Sequence, residues 1–333
     1  MQRRQGRQGR QRRQGAAVLV LRATLLAARA APAAFAVSAA QEPPTLRTTG
    51  YLQPRFQAVG DTAVFFLRRA RFAVEGNLTP WAFYRAQVEM RTPSAAATPA
   101  RSPLTLSATD LFIRLSHDRW SGTVGQFRVP FSLEALLSST TLETTERSLV
   151  VFNAAPNRDI GVQVEWRVPD RLTLQASVVN GEGTNRATNP DNRMAYLGRA
   201  VVTPVKGWDV GGAVAAYADS TDWNLQTMLQ RRRWKARAEY VRDRERRTDV
   251  RRTGWYVLGA YLLRPDRFQV VGRVEQFDPD DQVASDRETG FGLGTQYFIR
   301  GDNLKVMADY TVFREQVAQL SNNRLVVQMQ VRW

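Results

Sequence analysis

The chain contains no cysteine and a single histidine, His117. A disulfide scaffold, a thiol nucleophile and a Cys-ligated metal are therefore excluded, and no site can be built from paired imidazoles. After residue 40 no apolar run approaches the roughly 20 residues that a membrane helix requires. The mean hydropathy of -0.38 is too low for a bundle of such helices. Lysine is almost missing, with only Lys206, Lys235 and Lys305. The formal charge of +16 over 333 residues is inflated by residues 1–40, which carry eight arginines and no acid. The other 39 basic residues exceed the 31 acidic ones by eight, well short of a nucleic-acid-binding protein, and no aromatic-studded basic patch is present. No nucleic acid partner is expected.

What is present begins with an export-like segment. A basic Gln/Arg/Gly stretch to Gly15 leads into Ala16–Leu21 and an Ala-rich run ending at Ser38-Ala39-Ala40, small residues of the kind signal peptidase accepts. Residues 1–40 read as a signal peptide, 41–47 as a short periplasmic lead and 48–333 as the mature body, with a new N-terminus near Gln41.

From Thr48 onward the chain is a succession of period-two segments about ten residues long, the length of a tilted membrane strand. Over 66–75, Ala70, Phe72 and Val74 share one face, and Arg69, Arg71 and Glu75 share the other. Over 159–167, Ile160, Val162, Val164 and Trp166 oppose Asp159, Gln163, Glu165 and Arg167. The pattern predicts sixteen strands, near 49–58, 65–75, 81–90, 108–116, 121–128, 158–168, 171–180, 195–204, 207–217, 223–231, 233–243, 253–264, 267–277, 288–300, 303–314 and 324–333. Segment 223–231 carries the faintest alternation.

The connections alternate with strand parity. Turns after even strands are short and rich in turn formers, as at 76–80, 117–119, 169–170, 265–266 and 301–302, whereas 91–107, 129–157, 181–194, 278–287 and 315–323 are longer and polar. Short inner turns alternating with long outer loops mark an outer-membrane barrel, and a soluble sandwich has no reason to obey parity. Trp81, Trp120, Trp166, Trp208, Trp234 and Trp333 fall near the inner ends, and Trp223 and Trp255 near the outer ends, which predicts two aromatic girdles. The fold class expected is all-β, a transmembrane antiparallel β-barrel of about 16 strands.

Catalytic motifs do not assemble. His117 falls in an inner turn, away from the outer leaflet where a barrel lipase would need it. Asp278-Pro279-Asp280-Asp281 lacks EF-hand spacing. Gly290-Phe291-Gly292-Leu293-Gly294 lies inside a period-two strand with no following helix, so it is a run of strand glycines at a crowded wall. Glu75 and Glu89 share a face, and each has arginine neighbours suited to ladder salt bridges. No enzyme activity and no cofactor is expected.

Several stretches together resemble the phosphate-selective porin O and P family. They are Gly50 to Phe56, Phe66 to Gly76, Gly125 to Ser132, Glu146-Arg147-Ser148, Arg158 to Val162, Asn180 to Gly183 and Arg199 to Pro204. The resemblance implies a sixteen-stranded trimeric barrel in the cell outer membrane, with its third outer loop folded into the lumen. The chain departs from the family's pattern in its scarcity of lysine and in ending on Trp333, an aromatic terminus still suited to the barrel-assembly machinery.

The third outer loop in this register is 129–157, too apolar for simple exposure, with Phe131, Leu133, Leu136, Leu137, Leu149, Val150, Val151 and Phe152. It is expected to enter the barrel. Parity assigns Arg55, Arg69, Arg71, Arg85, Arg114, Arg128, Lys235, Arg237 and Lys305 to the lumen as pore-lining, anion-binding residues, with Arg167, Arg199, Arg273 and Arg332 beside them. The acids on the same faces are Glu75, Glu89, Asp110, Asp159, Glu165, Glu239, Glu275 and Asp309, so basic groups prevail. The function expected is a passive diffusion channel for small hydrophilic solutes with a modest anion preference, extending to phosphate. Outer-membrane lipid and lipopolysaccharide are the expected surroundings. A structural or adhesive barrel with a closed lumen is the alternative, disfavoured because sixteen strands leave a pore unless a plug fills it.

Overall fold

The computed structural model describes residues 43–92, 104–316 and 322–333; the expected signal peptide and cleavage site lie outside them, as do 93–103 and 317–321 of two outer loops. The period-two segments form sixteen strands: β1 (Arg47–Val59), β2 (Thr62–Thr79), β3 (Ala82–Arg91), β4 (Thr105–His117), β5 (Trp120–Arg128), β6 (Arg158–Val168), β7 (Leu172–Val179), β8 (Ala195–Val205), β9 (Trp208–Ala216), β10 (Ser220–Arg231), β11 (Trp234–Glu245), β12 (Arg251–Arg264), β13 (Phe268–Asp278), β14 (Glu288–Arg300), β15 (Leu304–Glu315) and β16 (Arg324–Arg332). Each pairs antiparallel with its sequence neighbours, and β16 closes on β1 with Phe56 opposite Val327. Closure leaves no unpaired strand edge, which a sheet in hydrocarbon cannot tolerate.

Burial is inverted relative to a soluble protein. Phe65 is 81% exposed and Leu293 75%, whereas Gln53, Lys305 and Gln330 are each 0% exposed. Along β4 the exposed Leu111, Ile113 and Leu115 alternate with the inward Asp110, Phe112 and Arg114. Alternation thus places apolar side chains outside and polar ones inside, as a membrane barrel with a polar interior requires.

One rim carries connections of two or three residues, at 80–81, 118–119, 169–171, 206–207, 232–233, 265–267 and 301–303. The other rim carries the longer loops, with two short exceptions, 60–61 between β1 and β2 and 217–219 between β9 and β10. Trp120, Trp208 and Trp234 each open a strand at the turn rim, with Trp120 stacked on Trp166 at 6.3 Å and Trp234 on Tyr261 at 4.4 Å. At the loop rim Trp223 stacks on Tyr240 at 5.0 Å. Both girdles are present.

Local differences from the sequence reading have physical causes. Residues 76–79, expected in a turn, extend β2, because Gly76 and Asn77 pair with Tyr84 and Phe83 while Asn77 O accepts the Thr45 N–H at 2.8 Å. His117 ends β4 opposite Trp120 instead of lying in the turn. The faintly patterned 223–231 is part of a full twelve-residue strand held between β9 and β11.

Segment 129–157 contains two short helices, α1 (Leu133–Leu136) and α2 (Leu149–Ala154). Its Phe131, Ala135, Val150 and Val151 pack in one cluster with Val241, Tyr256 and Leu258 of β11 and β12. Gly254 makes room for this: a Cβ there would meet Val150 at 2.8 Å. Buried backbone needs hydrogen-bond partners, and side chains of the barrel supply them. Gln53, Gln226, Gln296 and Gln330 donate to the carbonyls of Ser139, Phe131, Leu142 and Thr140, while Glu239, Glu275 and Asp309 accept from the N–H groups of Leu133, Glu134, Leu149 and Thr145.

Candidate functional site

The inward arginines and the acids of segment 129–157 meet at two ion-pair hubs. At the first, Glu146 accepts from Arg55 and Arg68 at 2.5 Å and from Arg69 at 3.1 Å. Parity alone would turn Arg68 outward. The β1–β2 register slips at Gln53/Pro54, where Arg69 faces Gln53 and Leu67 faces Pro54. Proline has no N–H for the ladder, so the strand bulges, and Arg68 is the extra residue. Burial by itself would raise the Glu146 carboxyl, but Arg69, Arg68 and Arg55 outweigh it and hold the group well below the usual carboxylate range. Arg147, next in sequence, donates to the carbonyls of Glu134 and Leu137 at 3.1 and 2.8 Å. Its burial, reinforced by repulsion from Arg69, brings its guanidinium down to about 10.

The second hub is Arg237, paired with Glu143 at 2.7 Å and Glu134 at 3.4 Å. Lys235 joins Glu143 at 3.2 Å. Burial would raise Glu143, yet Arg237 and Lys235 keep it below its ordinary value. Wall-to-wall pairs join Arg71 with Glu89, Arg85 with Glu75 at 2.6 Å and Arg273 with Glu275 at 3.0 Å, and Lys305 pairs with Asp302 of the 301–303 turn at 2.8 Å.

Seven of the nine residues expected to bind anions thus have a carboxylate partner: Arg55, Arg69, Arg71, Arg85, Lys235, Arg237 and Lys305. Arg114 and Arg128 do not, among the described residues. Arg114 donates to Thr123 Oγ1 at 3.1 Å, and Arg128 donates to the carbonyls of Ala135, Leu136 and Leu137 at 3.3, 2.8 and 2.7 Å. The inward arginines of β1 to β4 are therefore largely neutralised pair by pair. The sequence reading also passed over Arg158, which pairs with Asp110 at 2.7 Å, and Arg68; a bulge at a strand proline was the available signal for the latter.

Part of what remains uncompensated gathers in one place. A cavity of about 840 Å³ is lined by Leu136, Ser138 and Thr140 of segment 129–157 together with inward residues of β1 to β7 and β16. Its charged lining is Arg47, Arg85, Arg114, Arg128, Arg167 and Arg332 against Glu75, Asp110 and Glu165. Arg47 and Arg85 share Glu75, and Arg167 pairs with Glu165 at 3.0 Å. Arg114, Arg128 and Arg332 carry the surplus. Near the loop rim a second cavity, of about 480 Å³, is acidic, with Asp159, Glu182, Asp191, Asp219, Asp222, Asp243 and Glu245 against Arg158 and Arg252. No cluster of acidic or imidazole ligands fit for a metal ion occurs among the described residues.

The fold is shared with solved porins. The outer membrane channel DcaP of Acinetobacter baumannii superimposes with a TM-score of 0.66 at 12% identity, covering 87% of this chain and 98% of that one. An anion-selective porin from Comamonas acidovorans gives 0.65 at 10% identity over 87% and 100% of the two chains. The trimer form of OmpT, an outer membrane protein of Vibrio cholerae, gives 0.62 at 10% over 88% and 100%. No curated protein matches the sequence. The family model described as phosphate-selective porin O and P matches residues 49–209 and 208–333. A closed sixteen-stranded barrel with a polar interior, matched over nearly its whole strand-bearing length, is decisive: the chain belongs to the phosphate-selective porin O and P family and is a porin of the outer membrane.

Proposed function

We propose that the protein is a passive, modestly anion-preferring diffusion channel whose segment 129–157 lies in the lumen as the constriction. The arginine surplus of the 840 Å³ cavity carries the anion preference. Arg114, Arg128 and Arg332 present cationic groups without carboxylate partners among the described residues, and a narrow low-dielectric lumen focuses their field on passing solutes. The lumenal position of the segment is supported by its bonds to inward side chains of β1, β10, β11 and β13 to β16. The preference is modest because most inward charge is paired and because salt shortens the reach of each charge to about 8 Å at physiological ionic strength. A homotrimer and recognition by the barrel-assembly machinery through β16 belong to the same reading. A fully plugged adhesive barrel is disfavoured by the size of the cavity.

The test is the reversal potential of the purified protein in a planar bilayer under a KCl gradient. The wild type should be anion-selective, and Arg114→Gln with Arg128→Gln should move the potential toward the cation side. A cation-selective wild type overturns the preference; absence of any conductance overturns the channel.

A further inference from the structure

The lipid-facing side of the barrel carries a basic patch that the pore does not use. At the loop rim, strand register sets Thr221, Arg244 and Arg251 side by side in one outward row across β10, β11 and β12. Trp223, Arg242 and Thr253 form the next row toward the membrane centre. Arg246 folds back onto the upper row, its guanidinium donating to Thr221 Oγ1 at 2.7 and 3.1 Å. Asp249 occupies Arg244 at 2.6 Å, and Asp281 occupies Arg251 at 3.4 Å. Arg242 has no hydrogen bond or ion pair to the described residues, and Arg246 has only a hydroxyl. Two guanidinium groups without an ion-pair partner among the described residues therefore sit in the rows of Trp223 and Thr221, at headgroup level; Asp249, the acid that feels the charge of Arg242, is already paired with Arg244.

On the adjoining strands, β5 to β10, the same outward face is hollowed. A trough of about 650 Å³ is bordered by Val214, Trp223 and Leu225 and floored by Gly198, Ala200 and Gly212. The register is continuous with the patch, since Val214 lies opposite Trp223 and Gly212 opposite Leu225. The missing side chains of the floor leave space of acyl-chain character beside the arginine patch, with Trp223 bordering the trough and standing opposite Arg242.

We propose that this face binds a lipid of the outer leaflet that carries a phosphomonoester, the phosphate held by Arg242 and Arg246 and one acyl chain lying in the trough. Charge complementarity selects the occupant. A dianionic phosphomonoester matches two guanidinium forks, which bind phosphate oxygens bidentately, whereas a phosphodiester brings a single charge. This site lies outside the lumen and is independent of which solute crosses the pore.

The full-length protein in phosphatidylcholine nanodiscs is doped in turn with bis-phosphorylated lipid A, its dephosphorylated form and phosphatidylglycerol, and the retained lipid is counted by native mass spectrometry. The bis-phosphorylated form should be retained selectively. Arg242→Ser with Arg246→Ser should weaken retention about thirtyfold, at roughly a factor of five for each arginine removed from an anionic lipid surface. Gly198→Leu tests the trough with the arginines intact and should also weaken retention; a Cβ at Gly198 meets only Val214 Cγ2 at 3.9 Å, so the substitution enters open space. Unchanged single-channel conductance shows that each variant is folded. Equal retention of the dephosphorylated lipid or of phosphatidylglycerol overturns the proposal, as does wild-type retention by both variants. Displacement of the lipid by inorganic phosphate alone would mark a free-anion site, and loss of oligomer mass in the arginine variant would mark a subunit contact; either result also overturns it.

Discussion

Glu146 shows what one residue contributes here. Its carboxylate is shared by Arg55, Arg68 and Arg69, with only 13% of its side chain exposed. Removing one member of such a buried group leaves the others uncompensated, at a cost of about 3–5 kcal/mol. Glu146→Gln should therefore lower the Tm, raise single-channel conductance by loosening segment 129–157, and strengthen anion preference by freeing three guanidinium groups. Wild-type Tm and conductance in this variant would show that the hub holds nothing in place. The pH dependence follows from the same group. A carboxyl whose pKa is depressed on folding contributes stability that is fully present above its unfolded value, near 4.5, and lost as pH falls through the folded value. Conductance should stay flat from neutral pH to about 4.5 and rise only in stronger acid. A rise already complete at pH 4.5 would contradict the assignment.

At the scale of elements, segment 129–157 is joined to the wall strands much as a piece of protein core is joined to its surroundings. Wall glutamines meet its carbonyls, wall acids meet its N–H groups, and Gly254 yields to Val150. Deleting 135–150 removes Glu143 and Glu146 together with most of the bulk, so conductance should increase and the reversal potential should move further to the anion side. Unchanged conductance would place the segment outside the conduction path. The apolar content of this segment was legible in the sequence, and so was the alternation that aims Gln53, Gln328 and Gln330 inward. The pairing of a particular glutamine with a particular carbonyl was not, because partners such as Gln330 and Thr140 are 190 residues apart and meet only when the barrel closes.

For the whole molecule, closure is the decisive event. β16 pairs with both β15 and β1, and Trp333 N donates to Gly50 O at 3.1 Å. Removing 324–333 would leave β1 and β15 as open edges, each with a row of unpaired N–H and C=O groups that hydrocarbon cannot solvate. The truncated chain should fail to reach a protease-resistant, membrane-inserted form. Recovery of an inserted barrel with wild-type conductance would contradict the role of this seam.

Strand number, the direction each side chain takes and the two aromatic girdles follow from the sequence itself, since a period of two on a tilted ten-residue strand leaves each residue a single choice of face. Most inward-facing residues follow at the same level, with Arg68 and Arg158 as exceptions. Which of those residues still act as free charges was decided only by tertiary structure. Arg55 and Arg114 look equivalent along the chain, yet Arg55 meets Glu146 across 91 residues while Arg114, among the described residues, meets no carboxylate, only the hydroxyl of Thr123 and the ring of Phe112. Periodicity is a local property of the backbone; charge compensation depends on distances between strands and loops far apart in sequence, and these exist only once the barrel is closed.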